Sequence, residues 1–322
     1  MQRYTAFSDI LEFPRLQKPG LLVFGGSCFA QNIAAYFEQA LWPVAYPPLG
    51  AVYQPKALLR QVQWLLQPIP ETACLFCGQD GLWRSWLAHH KLAESSPDKV
   101  LQRLLQKAQI WQESLHHAAV ICLTVAHPLT WYEKEAGPVA NCHKEPAARF
   151  TKKFCSEEDC AEDLRTIVQL IRGVNSRAPI FFTLSPVRYL AEGMVFNFLG
   201  KTRLRIALDR LCRPENNVWY FPAYEIIMDD LRDYRYYKDD MLHPTDQAVH
   251  YVGGIFRAAL SAPATDEFHK QGVCWMKRWH HKPFHNASTA LDPKPEILKF
   301  VQQHWPAEVL RHKEHFNVVF RE

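Results

Sequence analysis

The sequence predicts an α/β fold in which a mostly parallel sheet is covered on both faces by helices. Two observations carry this. Short apolar runs suited to buried strands alternate along most of the chain with amphipathic stretches at helical spacing, the pattern of strand–helix–strand units. The run Phe24-Gly25-Gly26-Ser27-Cys28-Phe29-Ala30 also turns one such strand directly into a helix, and a glycine pair permits the tight junction.

The elements follow in order. A first strand is read at Leu21–Phe24 and a helix at Cys28–Leu41, which places Ser27 at a helix N-terminus beside unpaired N–H groups and the positive dipole end. Val44–Tyr46 is a second strand. Pro55–Leu66 is a helix whose proline suits the first turn. The helix Asp98–His116 leads into the strand Ala119–Val125. Ser156, followed by Glu157, Glu158 and Asp159, caps a helix over Glu157–Val174. The strand Ile180–Leu184, the helix Lys201–Leu211, the strand Val218–Phe221 and the helix Thr245–Leu260 complete the pattern. Residues 1–260 thus form the main domain, and residues 261–322 a basic, aromatic extension packed on it. The segment Thr72–Leu92 is read as a lid or small insertion, with Trp83 and Trp86 either packing internally or offering an aromatic platform to a sugar ring.

Composition narrows the class. The chain of 322 residues is 48% hydrophobic and 22% charged, as in ordinary globular proteins and unlike disordered chains or coiled coils. No apolar run is long enough to span a bilayer, and the first twenty residues carry Arg3, Asp9, Glu12, Arg15 and Lys18 without a signal-peptide core; a cytoplasmic protein without membrane contact is expected. The nine scattered cysteines do not suggest a disulfide framework, and Cys74-Leu75-Phe76-Cys77 lacks the second ligand pair of a zinc site. Side chains of the adjacent histidine pairs would diverge on regular structure. A net charge of +4 is a weak signal. The cluster Lys277, Arg278, His280, His281 and Lys282 around Trp275 and Trp279 is expected to be a solvated face docking its tryptophans, with no nucleic-acid partner.

The chemistry lies in a serine, a histidine and an aspartate. A serine hydroxyl needs a base within hydrogen-bond reach and a third group that orients the base. Asp240-Met241-Leu242-His243-Pro244 supplies an acid and a base three residues apart. Taken singly, Ser27 reads as a helix N-cap and His243 as a packing residue at a helix entry. Occurring together, they read as a catalytic set.

Gly26-Ser27-Cys28-Phe29-Ala30 resembles the signature of the GSCFA family, which is similar to the SGNH (GDSL-like) hydrolases. Further segments match in family order: Tyr46-Pro47-Pro48-Leu49-Gly50, Val139-Ala140-Asn141-Cys142-His143-Lys144, Ser185-Pro186-Val187-Arg188, Tyr220-Phe221-Pro222-Ala223-Tyr224-Glu225, Asp229 through Pro244, and His281-Lys282-Pro283-Phe284-His285. The resemblance implies a three-layer, flavodoxin-like SGNH fold. It also implies Ser27 as nucleophile, His243 as base and Asp240, in preference to Asp239, as its orienter. Oxyanion donors would be the N–H groups of Ser27 and Gly50, with Asn141 standing in for the asparagine that SGNH enzymes carry after the third strand. There this chain reads Thr124-Val125-Ala126-His127-Pro128. His127, Arg188 and Tyr189 are expected to contact substrate, with an ion pair to an acidic residue near Asp229 as the alternative reading of Arg188; Tyr189 replaces a histidine common in the family, and Gly200 a serine. The alternative readings of Gly50 and Asn141 are turn residues. The implied activity is hydrolysis, through an acyl-enzyme, of an ester such as an O-acetyl group on a carbohydrate or small metabolite. This chemistry requires no metal or organic cofactor. The alternatives are an O-acyltransferase using the same triad and a catalytically silent binding module.

Overall fold

The structure, a computed structural model, describes residue 7 and residues 12–72, 74–280 and 293–311. The His281–His285 element lies outside the described residues. In chain order the strands are β1 (Leu21–Gly26), β2 (Val44–Ala45), β3 (Leu75–Cys77), β4 (Trp83–Ser85), β5 (Ala118–Val125), β6 (Leu129–Glu133), β7 (Gly137–Val139), β8 (Phe150–Phe154), β9 (Ile180–Leu184) and β10 (Val218–Tyr220). The helices are α1 (Cys28–Glu38), α2 (Pro55–Leu66), α3 (Pro97–His117), α4 (Glu157–Val174), α5 (Met194–Leu211), α6 (Ala223–Glu225), α7 (Asp246–Leu260), α8 (Pro263–His280), α9 (Lys294–His304) and α10 (Ala307–Leu310).

The central sheet has five strands in the order β10-β9-β5-β1-β2, and every pair is parallel. Counted along the chain, this is the flavodoxin-like 2-1-3-4-5 order. Right-handed crossovers then put α1 and α7 on one face and α2 to α5 on the other, giving three layers. Such strands are covered twice and read as continuous apolar runs; β1, Leu-Leu-Val-Phe-Gly-Gly, is buried throughout. The connections leave β1 and β5 in opposite directions, so the carboxyl end of β1 is the switch point where ligands gather.

Most expected elements appear within a residue or two of their expected bounds. The main exception is α5, which begins at Met194, seven residues before Lys201. Its first turns also point apolar side chains outward, with Val195 86% and Phe198 68% exposed. Apolar residues all round give no amphipathic period to read. Two additions were also not visible in the pattern: the antiparallel hairpin β3–β4 and the antiparallel sheet β7-β6-β8. The hairpin occupies part of the Thr72–Leu92 segment. Trp86 is buried there, stacked 3.7 Å from Phe76, so its face is not open to a sugar.

The C-terminal helices close onto α1 and its exit. Phe268 and His269 of α8 pack on Trp42, whose indole N–H donates to His269 Nδ1 at 3.1 Å. Trp305 donates to the Leu41 carbonyl at 2.9 Å. A side chain at Gly272 would meet the Ala40 carbonyl at 2.0 Å, so the two segments approach backbone to backbone. Trp275 and Trp279 pack against the core, as expected of them, and Arg278 lies over the Trp275 ring at 4.9 Å.

Candidate active site

At the end of β1 the chain must turn within two residues. Gly26 does so at φ +93°, and a Cβ there would lie 2.0 Å from the Thr124 carbonyl oxygen, so glycine alone is accommodated. Ser27 follows in extended conformation at the N-cap position of α1, but its hydroxyl caps nothing. The side chain is fully buried and Oγ has no hydrogen-bond partner. An unpaired buried hydroxyl costs about 1–3 kcal/mol, which structural residues rarely bear.

The acid–base pair is assembled within one loop. Asp240 Oδ1 accepts the backbone N–H groups of Leu242 and His243, both at 2.9 Å, and Oδ2 accepts the His243 Nδ1–H at 2.6 Å. Met241, at φ +57°, provides the reversal that brings the carboxylate back to the ring. The backbone N–H groups of His243 and Leu242, then the imidazole itself, hold the Asp240 carboxyl down at about 2. Asp240, rather than Asp239, is the residue on the ring. Nδ1 is thereby committed as a donor, and the neutral ring presents a lone pair at Nε2, the tautomer a general base requires. The loop is closed by a bridge between Tyr237 and Pro244 and by Lys238 N–H donating to the His243 carbonyl at 2.8 Å. The His243 side chain is 41% exposed, and it makes no hydrogen bond to the buried Ser27 Oγ.

The two expected backbone oxyanion donors are engaged elsewhere. Ser27 N–H donates to the Thr124 carbonyl at 2.9 Å and Gly50 N–H to that of Pro47 at 3.2 Å. Strand pairing takes the first and a tight turn the second, so neither is free for an oxyanion in this arrangement. Gly50 has φ +87°, and a Cβ there would sit 2.4 Å from His89 Cβ. Asn141 Oδ1 accepts His143 N–H at 2.7 Å, holding its own turn.

His127 lies at the end of β5 between two rings, 6.0 Å from Tyr53 and 4.3 Å from Tyr189. Burial, then the nearby Lys201 charge, pushes its imidazole down to about 3, and Nδ1 has no partner. It is therefore a neutral ring with one unused nitrogen. Tyr189 N–H is held by Asn197 Oδ1 at 2.9 Å. Arg188 forms no ion pair among the described residues; its guanidinium lies over Tyr237, 4.8 Å from the ring centroid, and donates to the Tyr237 hydroxyl at 3.4 Å.

Sequence reasoning missed Lys201. Its ammonium is buried and donates to the carbonyls of Ser185 at 2.6 Å and Val187 at 2.9 Å. Burial pushes it down to about 7. One signal was available: Lys201, Leu204 and Leu208 share a helical stripe, and a lysine on a core stripe is unusual.

The fold and these residues define a flavodoxin-like α/β protein with a serine at the end of its first strand and a histidine oriented by an aspartate in the loop before α7. The chain belongs to the GSCFA family, whose model matches residues 21–256. Among solved structures it is similar to a carbohydrate esterase family 3 protein from Talaromyces cellulolyticus, at 8% identity and TM-score 0.38, over 78% of this chain and 99% of that one. It is also similar to an acetyl esterase mutant with acetate ion, at 7% identity and TM-score 0.35, again over 78% and 99%. No curated protein matches the chain.

Proposed function

We propose that the protein is an SGNH-like serine hydrolase that cleaves an O-acyl ester on a carbohydrate or small metabolite. The observation that carries this reading is the Asp240–His243 pair, with Nδ1 held at 2.6 Å, together with a buried Ser27 hydroxyl that nothing in the fold uses. In the reaction, His243 Nε2 takes the Ser27 proton as Oγ attacks the ester carbonyl. The protonated ring, stabilised by Asp240, then returns that proton to the leaving alcohol, and water attacking the acyl-enzyme regenerates the serine. The reading requires Nε2 to reach Ser27 Oγ in the substrate complex; such contacts commonly tighten only on binding.

One observation favours a second reading, a silent binding module: Ser27 is buried and the N–H groups of Ser27 and Gly50 are already bonded. Labelling by a fluorophosphonate probe with peptide mapping separates the two. The hydrolase is expected to label at Ser27, with loss in Ser27→Ala and His243→Ala variants that remain folded. A folded wild-type protein that resists the probe favours the binding module.

A further inference from the structure

The serine and the acid–base loop come from distant parts of the chain, and something must hold that loop over the sheet edge. We propose that Lys201 is a positioning residue: its ammonium is the fixed point of a clasp, through the Ser185–Val187 turn and Arg188 to Tyr237, that sets where His243 stands relative to Ser27. The inference rests on the hydrolase reading of Ser27 and His243.

Lys201 is 2% exposed and forms no ion pair with a carboxylate among the described residues. A buried ammonium is costly unless its hydrogen bonds are met. Two of its three N–H groups are met by the carbonyls of Ser185 and Val187. These carbonyls stand just past the end of β9, where Ser185 N–H still pairs with the Val125 carbonyl at 2.8 Å. A strand leaving the sheet would normally lose such partners; here one side chain from α5 gathers both and fixes the path of the turn. Arg188 is the next residue. Its planar guanidinium stacks on Tyr237 at 4.8 Å, with Tyr234 at 5.8 Å, a contact better suited to arginine than to lysine. Tyr237 is 9% exposed and bridges to Pro244, while the adjacent Lys238 N–H holds the His243 carbonyl. From the ammonium to the candidate base, each step is therefore a hydrogen bond, a ring contact or a peptide bond.

The test compares the wild type with Lys201→Met and Arg188→Gln. Two readouts are followed: the rate of Ser27 labelling by a fluorophosphonate as a function of pH, and the ring-nitrogen NMR signals of His243. Arg188 is only half-buried, so Arg188→Gln decides the matter should Lys201→Met fail to fold. The clasp predicts that labelling slows roughly tenfold or more in both variants, since small displacements of reacting groups are costly, and that the His243 signals and the midpoint of the pH profile move. Folded Arg188→Gln with wild-type labelling and unchanged His243 signals would overturn it. Should the wild type resist labelling while the His243 signals still move in the variants, the clasp stands and the hydrolase reading fails.

Discussion

His243 donates its Nδ1–H to Asp240 Oδ2 at 2.6 Å, on a carboxylate whose other oxygen already receives two backbone N–H groups. The ring is thus oriented by a partner that is itself held, and its tautomer follows from that bond. Because the carboxyl is held down at about 2, the orienting charge persists through the ordinary carboxylate range and is lost only as pH falls through about 2. Asp240→Asn keeps the shape but offers the ring the wrong partner. Ser27 labelling is expected to slow by roughly 10²–10⁴-fold in this variant, measured as a second-order rate with the fold checked by circular dichroism.

Asn141 separates two roles. Its carbonyl oxygen holds the turn to His143 N–H at 2.7 Å, a function that a carboxylate also performs. Asn141→Asp is therefore expected to keep near-wild-type labelling and melting temperature, and Asn141→Ala to lose both in part. A folded Asn141→Asp protein that no longer labels would show instead that the amide N–H is required.

Two buried histidines, His127 and His269, and the half-buried His143 make the fold acid-sensitive. His127 is pushed down to about 3, His143 to about 4 and His269 to about 4, each chiefly by burial. Their folded values lie below the unfolded value of 6.5, so the unfolded chain binds protons that the folded chain does not. Stability is complete above that value and declines as pH falls through 6.5 toward 4, by at most about 1.4 kcal/mol per pH unit for each ring. His269→Gln can still accept from Trp42 but cannot titrate. Urea melts between pH 7 and 4 should show a shallower decline in this variant, and an unchanged slope would remove His269 from the account.

Gly50 serves a turn that no other residue fits. At φ +87°, with His89 Cβ 2.4 Å from an added methyl, Gly50→Ala combines backbone strain with overpacking. A loss of about 2 kcal/mol or more is expected in urea denaturation, and His89→Gly should relieve the steric part.

Features held by neighbours in sequence were legible in the sequence. The strand–glycine–serine–helix junction follows from apolar runs and from the one residue type that fits Gly26. The Asp240–His243 pair closes over three residues, so the contact that the family resemblance implied lies within a single turn. The strand and helix alternation of the main domain reappears in the five-stranded sheet for the same reason: each element's period is a local property.

What distant segments do to one another was decided only by the tertiary structure. Strand pairing between β1 and β5 spends the Ser27 N–H on Thr124, a bond between residues nearly a hundred positions apart. Packing, not spacing, buries the Ser27 hydroxyl and leaves it unpartnered, and turns Trp86 inward onto Phe76. Arg188 lies on Tyr237, a contact that no spacing announces, and Lys201 emerges as a buried cation tied to two carbonyls. Such partners belong to other strands and helices, and a hydrogen bond or a ring contact between them exists only once the sheet has brought them together. From the sequence alone come the residues capable of the chemistry; the chain's long-range packing sets which of their atoms remain available for it.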